Sequence, residues 1–546
     1  MRVGKRTTLV AGMALACAMG VGLLPASGAD AAAGEFVPRR PAASQSTCAG
    51  IRGNGQNLFA HYGALARHVE EYGVVTCAAG GSSGSITTFL MESMWANPGV
   101  QNCTNDRGRL RRCSAAELNQ RMSLMLKSVV AVPELGLFAD VGTVGAIIGE
   151  VTAGDIEGLL ETDPVAGVEA FVRILRDVGP LINPELFELL ANSPDPVFHV
   201  TDIIDGLEKG VQFIVDDPAV FVRTSVLDFE EVARFFGTYG SFYAAYGPAD
   251  RAGLAAWLDT CAPATIGRTW SETATLPGPD GETCGEAFAA LFNEYREAFA
   301  ADPSAPNRAD DPVGRYLPVF GVTGVLTGDA IPEWRAARDA WLAAEPFDFD
   351  IDFDDVGVGY WGREVELRRI DRRLDQRYDD LIADQFVPLG RSTWLEVLKS
   401  SPAEPGFSPA VPLAAGPISV GGWADPLRVI PLDALNAKRT ITINRVDGVG
   451  GFTEQVTRLL NADDDDVAAL YSTTDPESSF YIGLDIVDGV WCTDWDSQGG
   501  DPNRLFDDAY DSPFITSNRR FLRPNFGYPN AGPDFSIQGC TPGVPV

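Results

Sequence analysis

The stretch from Val74 to Met94 constrains the fold more than any other part of the chain. Val74 to Ala78 is a compact apolar run that predicts a buried strand, Gly80-Gly81-Ser82-Ser83-Gly84-Ser85 predicts a sharp turn, and Ile86 to Met94 predicts a helix. Just upstream, Ser46 to Ala49 predicts another short strand. From Asn57 to Glu71 the apolar residues Leu58, Tyr62, Leu65 and Val69 recur at helical spacing. Strand, helix, strand and helix in close succession imply an α/β fold built on a parallel sheet.

Gly80-Gly81-Ser82-Ser83-Gly84 has the G-x-S-x-G form. Between a strand and a helix, small neighbours let a serine adopt a strained conformation that projects its hydroxyl from the sheet edge. Ser82 is therefore the candidate nucleophile, with an ordinary turn carrying Ser83 and Ser85 as the plain alternative. A serine–histidine–aspartate arrangement needs a histidine base, and the chain has only His61, His68 and His199. None follows late in the sequence, as the Ser, Asp, His order of ordinary α/β-hydrolases requires. A serine with an aspartate partner is simpler: the carboxylate accepts the hydroxyl proton and backbone N–H groups hold the oxyanion.

The rest of the chain frames this core. Residues 1–33 carry Arg2, Lys5 and Arg6, an apolar run from Thr8 to Leu24 and a small-residue stretch ending at Ala33, which predicts a cleaved signal peptide and a secreted, periplasmic or cell-envelope protein. Outside that leader lie Cys48, Cys77, Cys103, Cys113, Cys261, Cys284, Cys492 and Cys540, an even set that suits disulfides after export. Proximity favours pairing Cys103 with Cys113 and Cys261 with Cys284. The net charge of −33 argues against nucleic acid, which requires clustered cations, and against simple electrostatic adsorption to anionic membranes. Asp348, Asp350, Asp352 and Asp354 alternate with apolar residues, and Asp463 to Asp466 form an acidic run. Both read as solvated faces rather than metal sites. No metal or other cofactor is expected. Amphipathic stretches between residues 115 and 315 predict a helical insertion, Leu317 to Gly324 and Thr440 to Arg445 predict further strands, and the acidic, Gly/Pro-rich last eighty or so residues predict an irregular extension.

Several segments resemble the patatin-like phospholipase family, in its bacterial, secreted form. Gly50-Ile51-Arg52-Gly53 with Gly55 is similar to the family's glycine-rich oxyanion loop, Ala60-His61-Tyr62-Gly63-Ala64-Leu65 to the helix after it, and Gly80 to Ile86 to its nucleophile elbow. Ser400-Ser401-Pro402-Ala403-Glu404-Pro405-Gly406-Phe407 is similar to the stretch before the second catalytic strand. Val420-Gly421-Gly422-Trp423-Ala424-Asp425-Pro426 sits where the family has Asp-Gly-Gly. The resemblance implies a patatin-like parallel-sheet core in two parts, residues 47–114 and 316–460, interrupted by a large helical insertion or cap at 115–315 and followed by an extension at 461–546. It further implies a lipid or other acyl-ester substrate, a transient contact with a membrane or lipid surface, and no stable protein partner. Ser82 would be the nucleophile, and Gly53, Asn54, Gly55 and Ser83 would form the oxyanion hole, with Cys48-Ala49-Gly50 as the other register of the family's glycine triplet. Val420 stands at the position of the family's aspartate, so Asp425 in the same turn is the leading base, with Asp447 and Asp488 as alternatives. Two rival readings stay open: a patatin-fold lipid-binding protein without turnover, and a Ser-His-Asp esterase.

Overall fold

The computed structural model describes residues 37–53, 58–105, 107–132, 229–302, 304–326, 356–377, 386–390, 392–402, 411–413, 416–419, 430–445, 488–493, 502–512 and 514–516. Its strands are β1 (Thr47–Ile51), β2 (Val75–Gly81), β3 (Asn102–Thr104), β4 (Leu110–Arg112), β5 (Val319–Leu326), β6 (Val356–Trp361), β7 (Phe386–Gly390), β8 (Val411–Leu413), β9 (Gly416–Ser419), β10 (Arg439–Arg445), β11 (Gly489–Thr493) and β12 (Phe514–Thr516). The helices that matter below are α1 (Phe59–Tyr72), α2 (Ser83–Ala96), α3 (Ala115–Ser128), α4 (Phe229–Tyr243), α5 (Pro248–Cys261), α6 (Cys284–Ala301), α7 (Glu364–Arg377), α8 (Trp394–Ser400), α9 (Ile430–Ala434) and α10 (Pro502–Tyr510).

A ten-stranded sheet runs in the order β12-β11-β10-β1-β2-β5-β6-β7, with the β8–β9 hairpin attached to β5, while β3 and β4 form a separate two-stranded ribbon. The central pairs β10–β1, β1–β2 and β2–β5 are all parallel, as are β10–β11 and β6–β7. The expected α/β class therefore holds. A purely parallel sheet does not, because β6 and β9 run antiparallel to β5, and β12 runs antiparallel to β11 at the sheet edge.

Burial on both faces explains the composition of the central strands. Every residue of β1 and β2 is buried, so these strands read as continuous small and apolar runs rather than as alternation. The same holds for α2, all fourteen residues of which are buried. A helix with no solvent face carries no amphipathic stripe, and for that reason its first turn is not legible as helix in the sequence.

Among the polar groups buried in α2, Glu92 ties together three distant segments. Its carboxylate accepts the Trp394 indole N–H at 2.6 Å and the Tyr316 backbone N–H at 2.6 Å, and lies 3.0 Å from the Arg308 guanidinium. Glu92, Arg308 and Trp394 are all fully buried. Removing the carboxylate would leave the buried Arg308 guanidinium with Asp311, at 3.4 Å, as its remaining acidic partner among the described residues, and breaking a buried pair typically costs about 3–5 kcal/mol. Glu92→Ala is therefore expected to lower unfolding free energy by that amount in a urea titration. A loss below about 1 kcal/mol would show that the network bears little of the load.

Residues 461–546 are not simply an irregular extension. Within them β11 pairs with β10 in parallel register, Ile441 opposite Gly489 through Arg445 opposite Thr493, and β12 closes that edge. Phe506 and Tyr510 of α10 are buried in the same core as α1. The short apolar run Gly489-Val490-Trp491-Cys492-Thr493 is enough for a strand because its neighbour β10 already supplies a paired edge. In the 115–315 stretch, α3 packs on α1 and α4 packs on α2 and α8. Residues 133–228 of the expected insertion lie outside the described residues, as do residues 1–33, where a signal peptide is expected.

The pairs Cys103–Cys113 and Cys261–Cys284 form as expected, and a third disulfide joins Cys48 to Cys77 across the adjacent strands β1 and β2. Three disulfides are compatible with an extracellular protein. Among the described residues, no helix is long and apolar enough to cross a membrane.

Candidate active site

The site is built at the carboxyl ends of β1 and β2. Ser82, at the junction of β2 and α2, has φ 52° and ψ −130°. A non-glycine residue held there stores on the order of 1–3 kcal/mol of strain, which persists only if the surroundings over-determine it. Those surroundings are the two outer glycines of the motif. A Cβ on Gly80 would lie 2.0 Å from the Gly84 carbonyl oxygen, and one on Gly84 would lie 2.3 Å from the Ile51 carbonyl oxygen. The G-x-S-x-G spacing is thus a steric requirement: the turn closes so tightly that strand, helix and the end of β1 touch backbone to backbone.

Ser82 also differs from the ordinary helix-capping serines and threonines of this chain. Ser114, Thr269 and Thr283 have extended backbones and turn their hydroxyls onto the third residue of their helices as capping boxes. The Ser82 hydroxyl makes no cap hydrogen bond to α2, and its backbone lies outside the extended region that those caps share. It remains partly accessible while its successors are buried.

Gly53, from the loop after β1, lies directly over this serine. A Cβ built on Gly53 would sit 2.5 Å from Ser82 Cβ and 3.3 Å from Ser82 Oγ. The structure thus brings together Ser82, Ser83 and Gly53 of the expected site. Asn54 and Gly55 lie outside the described residues. So do Val420, Asp425, Asp447, His199, the alternating aspartates from 348 to 354 and the run from 463 to 466.

Asp488, one of the alternative bases, lies at the opposite end of the parallel strands. It precedes β11, and its carboxylate accepts the Thr440 backbone N–H at 2.8 Å beside the start of β10. Because β11, β10, β1 and β2 are mutually parallel, Ser82 lies beyond their other ends.

The path of β9 bears on Asp425. One edge of β5 pairs with β6 over Gly321–Leu326. Its other edge pairs with β2 as far as Val322 opposite Gly81, and then with β9 at Gly324 opposite Ser419. β9 therefore occupies the edge of β5 that β2 vacates, and it runs antiparallel toward the end of β2 where Ser82 begins α2.

Both histidines of α1 are structural. The His61 ring is fully buried, its Nδ1 2.8 Å from the Thr87 hydroxyl, and it faces the backbone of Arg52. His68 accepts the Trp491 indole N–H on Nδ1 at 3.0 Å. Burial holds the proton affinity of each down to about 3, and for His68 the Arg439 charge adds to the effect. Unfolded, each would take up a proton near pH 6.5. The unfolded state therefore binds more protons between these values. The stability involved is complete above about pH 6.5 and is lost as pH falls toward 3. Between pH 7 and pH 5, unfolding free energy is expected to drop by on the order of 1–2 kcal/mol per histidine. Urea titrations that coincide at the two pH values would contradict this assignment.

Ser401 falls in the stretch singled out by the resemblance, which assigns it no role at the elbow. Its hydroxyl accepts the backbone N–H of Ser82 at 2.9 Å, although the two lie 319 residues apart. Among the described residues, no cluster of His, Cys, Asp or Glu is arranged to hold a metal ion. No family model, curated protein or solved structure matches the chain.

Proposed function

We propose that the chain is an exported serine acyl hydrolase of the patatin-like phospholipase type, acting on lipid acyl esters through a Ser82–Asp425 dyad. The observation that carries this reading is the backbone of Ser82, a non-glycine residue at φ 52° between a buried parallel strand and a helix, with Gly53 lying over its side chain. Ala245, Asp280 and Asn436 share a positive φ, so the support comes from Ser82 combining it with a strand-to-helix junction and a hydroxyl that caps no helix.

In the proposed reaction Asp425 takes the Ser82 hydroxyl proton as Oγ attacks the ester carbonyl carbon. Backbone N–H groups of the Gly53–Gly55 loop and of Ser83 stabilise the tetrahedral oxyanion. Collapse breaks the carbon–oxygen bond to the alcohol, which leaves with the proton from Asp425. Water then attacks the acyl-enzyme by the same route in reverse and releases the carboxylic acid. Asp425 is supported by the direction of β9, which heads for the elbow six residues before it. Export is supported by the three disulfides and the leader-like amino terminus. The helices of residues 115–315 would shape the acyl pocket as the cap.

Val420, at the motif's aspartate position, favours a second reading, in which the fold binds lipid without turnover. Hydrolysis of a short-chain p-nitrophenyl ester and of phosphatidylcholine vesicles separates the two. The enzyme reading expects turnover that falls by about 10³-fold or more in Asp425→Asn and is unchanged in His199→Ala. Vesicle binding by a wild-type protein that hydrolyses neither substrate would overturn it in favour of the binder. Loss of turnover in His199→Ala would favour the Ser-His-Asp esterase.

A further inference from the structure

We infer that Ser401, acting with Ser85, is a positioning residue that holds the elbow of Ser82 in its strained conformation; this rests on the reading of Ser82 as nucleophile. Ser401 follows α8 directly, and both it and Ser85 are fully buried. The Ser401 hydroxyl accepts the Ser82 N–H at 2.9 Å, lies 2.5 Å from the Val322 carbonyl oxygen and 2.8 Å from the Ser85 hydroxyl. The Ser85 hydroxyl in turn lies 2.5 Å from the Gly80 carbonyl oxygen. The Ser82 amide proton binds Ser401, and two hydroxyl protons are shared among three contacts, so the Ser401–Ser85 bond forms when one hydroxyl turns from its carbonyl; these contacts span Gly80, Ser82, the first turn of α2 and the neighbouring strand β5.

Two consequences follow from this geometry. The Ser82 amide is committed to Ser401 and is not one of the donors that would hold the oxyanion. In addition, φ at Ser82 is fixed from outside the elbow, as a strained residue requires. A role limited to seating α8 is a poorer account. That helix is already anchored by buried Trp394, Val397 and Leu398, and by the Trp394 bond to Glu92. Losing the Ser401 hydroxyl should release the elbow and leave the helix where it is.

Two readouts on the full-length protein test this. The first is amide hydrogen exchange at Ser82. It should accelerate by about tenfold in Ser401→Ala and stay near wild type in Ser401→Thr, which keeps the hydroxyl. The second is the rate of Ser82 labelling by a fluorophosphonate, corrected for the folded fraction. It should fall by about tenfold or more in Ser401→Ala, with recovery in Ser401→Thr, and Ser85→Ala combined with Ser401→Ala should cost little more than the larger single loss. Unchanged exchange at Ser82 would overturn the inference. So would faster exchange with undiminished labelling per folded molecule. A wild type that takes no label would refute the proposed hydrolase, while the exchange measurement would still decide whether Ser401 holds the elbow.

Discussion

Ser82→Ala is expected to abolish hydrolysis, with kcat falling by on the order of 10⁶-fold, while the protein folds and unfolds as the wild type does. The expectation follows from how little Ser82 contributes to packing. Its hydroxyl caps no helix, its side chain remains partly accessible, and the contacts that shape the turn are made by Gly80, Gly84 and the Ser82 backbone. A companion substitution separates chemistry from strain. Glycine adopts φ 52° without steric cost. Ser82→Gly is therefore expected to be equally inactive and no less stable than wild type in urea titration. Loss of fold in Ser82→Ala, or hydrolysis reduced by less than about tenfold, would mean that the serine is an ordinary turn residue.

Gly53→Ala is expected to have the next largest effect. The added methyl would lie 2.5 Å from Ser82 Cβ and 2.7 Å from the Gly81 carbonyl oxygen, distances that real side chains essentially never adopt. Both neighbours belong to the elbow, which Gly80 and Gly84 hold rigid, so the loop after β1 must retreat instead. A retreat of even an ångström removes an amide from the place where the oxyanion develops. Loss of one such donor typically lowers kcat by about 10²–10³-fold. KM should change far less, because the contact is made in the transition state rather than in the ground state. Steady-state kinetics on a short-chain ester reads both parameters. A KM effect with kcat preserved would assign Gly53 to substrate binding and not to the oxyanion.

The elbow was legible in the sequence because its signal is local. A buried strand, a glycine pair, a serine and a helix lie within one short segment, and the chemistry and the sterics of the turn demand the same residues. The beginning of α2 was not legible, since a helix buried on every side has no periodicity to read. β11 is not legible for a related reason: five residues in a polar, Gly/Pro-rich surrounding become a strand only because β10 offers them an edge.

Long-range pairing accounts for the remaining differences. The Cys103–Cys113 and Cys261–Cys284 disulfides follow from short separations, whereas Cys48–Cys77 depends on β1 and β2 being neighbours in register. The same dependence removes Asp488, whose Asp-Gly dipeptide has the motif's form but sits at the amino end of its strand. It also hid Ser401, which reaches the nucleophile only through the packing of α8 against the core. Asp425 rests on the direction of β9 and on the motif's order in the sequence, and its substitution is the corresponding test.

Treatment of the intact protein with a fluorophosphonate, followed by peptide mapping, tests the central claim most directly. A phosphonyl adduct on Ser82, absent from Ser82→Ala, is the predicted result. An unmodified Ser82, whether the reagent is ignored altogether or is captured by Ser83, Ser85 or a serine elsewhere, would contradict it.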